Sequence, residues 1–225
     1  MRKLFPVFGE KALKLRSGAV YNMPMEVYFL DLEPLRGRMD EALSRLDPAR
    51  REKALRLRPE EKRRQSTGAG LLLGRFFPGA SVTTDEHGKP YVPGGRCFSL
   101  SHSGAAAVIA LDDAPVGVDI ERIALPRDAA ARRVLTAEEL AALDTLGGGG
   151  FTLLWTRKEA ALKCLGVGVR TAPGSFSALG DEAAVDGTAI RLFSVRRGGY
   201  IVSAASVSGD AAFTLVELSA DELLR

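Results

Sequence analysis

"CFSLSHSGAAAVIALDDAPVGVDIERI", Cys97 to Ile123, carries three extended runs separated by turn chemistry, and its reading decides what kind of domain this is. "RCFSLSHSG" and "AAAVIALDD" read as strands flanking a turn near Ser103 and Gly104, and Asp112 to Pro115 reads as a seam between two halves. "VGVDIERI" then opens the second half as a strand. Side chains alternate across a strand, so Val118 and Ile120 point one way while Asp119 and Glu121 share the other face. Two carboxylates a pleat repeat apart repel each other. A cation would relieve that, and oxygen-only ligands suit Mg²⁺. A solvent-facing acidic pair on an edge strand is the commoner source of such a pattern, so the metal reading needs a third ligand.

Working outward, "EVYFLDL" reads as a strand, and "DPARREKALRLRPEEKRRQSTGAGLLLGRFF" as helix interrupted at Pro59. "DEHGKPY" has turn chemistry in Gly88 and Pro90. Past the seam, Thr136 is a sound N-cap for "TAEELAAL" with Glu139 as its capping-box partner. Four glycines, Gly147 to Gly150, precede a helix, "FTLLWTRKEAALKCLG", that ends at Gly166. "AIRLFSV", "YIVSAASV" and "FTLVELS" are expected to close the chain as an antiparallel meander. The expected organisation is α+β: an N-terminal extension over residues 1–22, a first half over 23–113 and a second over 114–225. No residue-level repeat relates the halves.

The 225 residues are 46% hydrophobic, which suits a domain with a real core. No apolar stretch is long enough to span a bilayer as a helix, and the charged opening does not read as a signal peptide. Two cysteines make no disulfide framework, and with two histidines they lack zinc-site spacing, so a reducing cytoplasm is the expected location. Net charge is only +3, but Arg45 to Arg64 holds nine Lys or Arg against Asp47, Glu52, Glu60 and Glu61. Without interleaved aromatics such a run reads first as a solvated helix face, then as a nucleic-acid contact, then as a site for a smaller polyanion.

On the helix, Trp155, Glu159, Leu162 and Lys163 fall at i, i+4, i+7 and i+8, one face. Glu159 and Lys163 read either as an ordinary surface pair or as a third metal ligand with a cation for a bridging phosphate. In "SLSHSG" the serines and His102 read either as local caps around a structural histidine or as Ser101 and His102 donating to a phosphate. A Ser-His nucleophile is disfavoured, because the two are sequence neighbours with no acid to orient the ring.

Taken together and in order, "GKPY", "FSLSHSG", "PVGVDIE" and "WTRKEAALKCLGVGV" resemble the Sfp-type 4′-phosphopantetheinyl transferases, over roughly Arg50 to Gly168. The resemblance implies two pseudo-symmetric α/β halves in one monomer with the active site in the cleft between them. It implies Asp119, Glu121 and Glu159 as magnesium ligands, Glu159 also helping to deprotonate the attacking serine, and Lys163 on the phosphate under attack. It implies Ser101 and His102 on the phosphates of coenzyme A, Lys89 and Thr67 along the adenine nucleotide, and Arg63 and Arg64 among the basic residues at the 3′-phosphate. Lys158 would lie near phosphate or partner. The implied reaction moves the phosphopantetheine arm to a serine of an acyl- or peptidyl-carrier protein, with neither nucleic acid nor membrane involved. The alternative is a carrier-protein-binding homologue that has lost the chemistry, against which the intact acids and lysine argue.

Overall fold

The computed structural model describes residues 25–125, 128–168, 171–208 and 213–225; the expected extension over 1–22 lies outside them. Two four-stranded sheets organise the chain. The first contains β1 (Met25–Asp31), β4 (Cys97–Ser103) and β5 (Ala106–Asp112), completed by β10 (Phe213–Leu218), in the order β10-β1-β5-β4. The second contains β6 (Val116–Arg122), β7 (Glu182–Val185), β8 (Thr188–Arg197) and β9 (Tyr200–Ser206), in the order β6-β9-β8-β7 and antiparallel throughout. Between them in sequence, β2 (Thr83–Thr84) and β3 (Pro90–Tyr91) form a minimal hairpin.

The sheets pack face to face. Met25, Val27 and Phe29 of β1 and Ala106, Val108 and Ala110 of β5 meet Val118, Ile120 and Val202 of the second sheet in one core. The opposite pleat of β5, with Ala107, Ile109 and Leu111, packs under a helical layer that includes Ala220 and Leu224, so residues 213–225 join the first sheet rather than the expected second half over 114–225. Cover on both faces explains why all seven residues of β5 are buried and why its sequence is continuously apolar rather than alternating. The helical cover is α1 (Met39–Ser44), α2 (Pro48–Leu55), α3 (Glu60–Phe76) and the terminal α7 (Ala220–Leu224). On the second sheet lies the long α6 (Gly150–Leu165), and α4 (Asp128–Val134) and α5 (Ala137–Leu146) share an apolar cluster with Leu154 of α6. The architecture is the expected α+β class, with a long helix on the outer face of each sheet.

The expected three-stranded meander is corrected. β8 and β9 do form an antiparallel hairpin, but β10 leaves the second sheet and pairs parallel to β1, Met25 opposite Phe213 through Leu30 opposite Leu218. An alternating strand carries the same period whichever sheet receives it, so proximity in sequence was the only guide, and it pointed to the wrong neighbour. The third partner on that side is β7, four residues long and too short to read as a strand.

Local punctuation follows the sequence. Pro59 stands just before the first turn of α3, Thr136 and Glu139 form the reciprocal capping box of α5, and Gly166 ends α6 in the left-handed region at φ 70°. Glu139 does more than cap. It is wholly buried, accepts from the Ala178 backbone at 2.7 Å, and pairs with the equally buried Lys158 at 2.8 Å. Lys158 also donates to the carbonyls of Pro173, at 2.8 Å, and Phe176, and lies over the Phe176 ring. Desolvation presses its amine below the usual lysine range, against the pull of Glu139. Lys158 is therefore an internal strut tying α6 to α5 and the 173–178 segment, not a group near phosphate or partner; a motif lysine on a two-sided helix does not disclose which side it serves.

The approach of α6 to β6 depends on Gly117. A β-carbon there would overlap the Ala160 carbonyl oxygen and fall 2.5 Å from the Cys164 nitrogen, both backbone atoms that cannot rotate away. Gly117→Ala is expected to cost about 3 kcal/mol or more, as a core overpacking against immobile atoms. Lys158→Met, which strands the Glu139 charge, is expected to cost about 3–5 kcal/mol. Denaturant titration checks both: midpoints should fall without a change in slope.

Candidate active site

β4 and β6 are the facing edge strands of the two sheets, with no ladder pairing between them. Serine side chains bridge the gap. Ser99 Oγ accepts from the Val118 backbone N–H at 3.1 Å, Ser101 Oγ donates to Asp119 Oδ1 at 2.7 Å, and Ser103 Oγ donates to Glu121 Oε2 at 2.6 Å. The period-two serines of "SLSHSG" are thus one face of a strand, each reaching the next step of β6. Sequence reasoning singled out Ser101 for a phosphate and left Ser99 and Ser103 as local caps; their spacing was the signal that all three share a task. The turn that follows is gripped from two sides, by Gln65 Nε2 on the Gly104 carbonyl at 3.0 Å and by Tyr200, whose hydroxyl accepts from the Ala105 N–H at 2.9 Å.

Asp119 lies at the centre. It is only 4% exposed, Lys163 Nζ donates to its Oδ1 at 2.6 Å and to Ser101 Oγ at 3.2 Å, and its Oδ2 is buried without a hydrogen-bond partner. Glu159, one turn before Lys163 on α6, has its carboxyl held above the usual range by desolvation first, then by the charges of Asp119 and Glu121, with Lys163 opposing. The three acids are therefore close enough to sense one another. Among the described residues no three acidic, histidine or cysteine side chains are grouped as a ready-made metal site; here Lys163 occupies Asp119 and Ser103 occupies Glu121. The donor set nevertheless fits a hard cation. The groups are oxygen-only, one buried carboxylate oxygen is unsatisfied, and the mutual repulsion raising Glu159 is what a divalent ion would relieve.

His102 lies on the other pleat of β4, opposite Ala107, at the exposed end of the strand. Desolvation of the ring and the neighbouring charges of Lys62 and Lys163 hold it below the usual histidine range, with its own backbone hydrogen bond and Asp119 pulling upward. A cleft of about 490 Å³ opens beside the acids, walled by Phe98 and Leu100 of β4, Glu159 and Lys163 of α6, and the turn His87 to Pro90.

The remaining expected ligands are distributed less simply along α3. Arg63 donates to the Leu57 carbonyl at 3.1 and 3.3 Å. Arg64 is a buried guanidinium 3.7 Å from both Glu33 and Glu60, and Thr67 is wholly buried with its hydroxyl unpaired. Lys62, not singled out from the sequence, is the exposed α3 cation whose charge reaches His102. Lys89 spends its amine on two backbone carbonyls across the seam, Cys164 at 2.7 Å and Val116 at 3.3 Å.

Residues 115–212, a little under half the chain and including β6 and α6, match the family model of the 4′-phosphopantetheinyl transferase superfamily. A 4′-phosphopantetheinyl transferase of Bacillus subtilis is 29% identical over 169 residues, 68% of this chain and 75% of that protein. The transferase psf-1 of Bacillus pumilus is 41% identical over 102 residues, 42% of this chain and 43% of that protein. The transferase Sfp of Bacillus subtilis (strain 168) is 28% identical over 149 residues, 60% and 66% respectively. With carboxylates, lysine and serines held on one seam between two sheets, the chain carries a 4′-phosphopantetheinyl transferase superfamily match over residues 115–212 and is similar to the transferases of the Sfp type.

Proposed function

We propose that the chain transfers the 4′-phosphopantetheine arm of coenzyme A to a serine hydroxyl of an acyl- or peptidyl-carrier protein, releasing 3′,5′-ADP. The observation that carries this reading is the meeting of Asp119, Glu121, Glu159 and Lys163 beside the cleft, three acids from two elements with one lysine among them.

Asp119, Glu121 and Glu159 would hold Mg²⁺, which when bound supplies charge neutralisation for a pyrophosphate and its leaving oxygen. Ser101 and Ser103 aim the first two carboxylates, fixing their oxygens before substrate arrives. Lys163 then has a second acceptor: its amine, on Asp119 here, turns to an oxygen of the phosphate under attack and stabilises charge developing there. His102 donates to the same phosphate region, and Lys62 and Arg63 receive the nucleotide phosphates at the end of α3. Glu159, on the wall of the cleft, takes the proton of the incoming serine. The serine oxygen forms the new bond to phosphorus as the bridging oxygen departs with its electron pair on 3′,5′-ADP. No covalent enzyme intermediate is needed.

All of these groups belong to one chain, which suits action as a monomer. Both cysteines are free, which suits a reducing cytoplasm. No helix among the described residues is long and apolar enough to cross a membrane.

Incubation of an apo carrier protein with coenzyme A, Mg²⁺ and this chain should add the mass of one phosphopantetheine arm; binding of the carrier protein with no mass gain would instead identify an inactive homologue. Asp119→Asn should lower kcat/KM by roughly 10²-fold or more, while its thermal midpoint stays near that of the unaltered chain. Chelation by EDTA should stop transfer and added Mg²⁺ restore it. Full transfer in excess chelator contradicts the metal role.

A further inference from the structure

Lys89 sits in the turn between β2 and β3, on the wall of the cleft, where the resemblance leads one to expect a cation facing the nucleotide. Its amine is otherwise engaged. Nζ donates to the Cys164 carbonyl at 2.7 Å and the Val116 carbonyl at 3.3 Å, so one side chain of the first half touches both α6 and β6 of the second. Cys164 lies in the last turn of α6, where carbonyls have no intrahelical partner and the helix dipole favours a cation. The aliphatic stem is used as well: a β-carbon added at Gly166, the cap of α6, would stand 3.2 Å from Lys89 Cδ.

The turn that carries Lys89 is itself braced. Asp85 accepts from the backbone N–H groups of His87, at 2.8 Å, and Lys89, at 2.9 Å, while the Asp85 N–H donates to the Lys89 carbonyl at 3.0 Å. The attached strands are two residues each, and an isolated two-stranded hairpin is marginal in water. Such a hairpin needs an anchor. Desolvation holds the Lys89 amine below the usual lysine range, consistent with a group enclosed between two elements rather than displayed to solvent.

We propose that Lys89 is a positioning residue: its amine clamps the 83–91 hairpin onto the C-terminal end of α6 and so fixes one wall of the coenzyme A cleft, without serving as a phosphate ligand. The clamp rests on the function proposed above only in naming what the cleft holds. A loosened wall weakens ground-state and transition-state binding alike, which raises KM and spares kcat.

Lys89→Met, keeping the stem and removing the donor, tests this in the full chain. Amide hydrogen exchange over residues 83–91 should accelerate relative to the unaltered protein. KM for coenzyme A should rise about tenfold with kcat within about twofold, and the dependence of KM on salt should keep its slope, because no phosphate contact has been lost. Unchanged exchange in the hairpin, or a KM rise accompanied by a shallower salt dependence, overturns the proposal. If Lys89→Met does not fold, amine acetylation of the unaltered protein decides. Labelling of Lys89 slower than that of exposed Lys53 and Lys62, at a rate coenzyme A leaves unchanged, supports the clamp; rapid labelling suppressed by coenzyme A overturns it. A chain that binds no coenzyme A sinks the proposed function, and the exchange and labelling results still judge the clamp.

Discussion

The backbone contact between α6 and β6 at Gly117 sets the geometry on which everything else rests. Because no side chain stands between them, the helix lies against the strand, and its Glu159 and Lys163 come within reach of Asp119. A helix held off by even one methyl would carry those charges out of range, since hydrogen bonds and close ion pairs tolerate little displacement. The second half therefore places a structural demand and a chemical one on neighbouring residues of the same strand: Gly117 admits the helix, and Asp119 meets what the helix brings.

A different solution joins the two sheets. Edge strands normally expose unpaired backbone groups, and proteins cover or blunt them. Here the edges of β4 and β6 face each other through hydroxyls, with Ser99 serving a backbone N–H and Ser101 and Ser103 serving carboxylates. Each carboxylate so held is already oriented, so the joint between the sheets and the preorganisation of the acids are a single set of bonds. The Glu139–Lys158 pair plays the complementary part deeper in, fixing α6 to α5 from the side that never sees the cleft.

Much of this was legible in the residues. Alternation in "VGVDIERI" put Asp119 and Glu121 on one face, helical spacing put Glu159 and Lys163 on one side of α6, and cap chemistry located the start of α5 and the end of α6. What failed to show shares a physical cause. The destination of β10, the inward turn of Lys158 and the seam-spanning reach of Lys89 are all decided by contacts between residues far apart in the chain. Periodicity reports which face a residue occupies; it is silent about what packs against that face. Arg64 and Thr67 illustrate the same limit, since a basic run gives no sign of which arginine turns inward.

The pairing of β10 with β1 has a consequence for how the molecule comes into being. β1 and β10 lie far apart in the chain, so the first sheet lacks a strand until residues 213–218 have been made. During that interval the backbone of β1 offers an open edge with apolar side chains on both faces, the kind of template that invites association with other chains. Closing so long a loop is also slow compared with local hairpin formation. Completion of the first sheet accordingly depends on long-range strand insertion, which leaves chains stalled before residue 213 with an open edge that chaperones or other chains can engage.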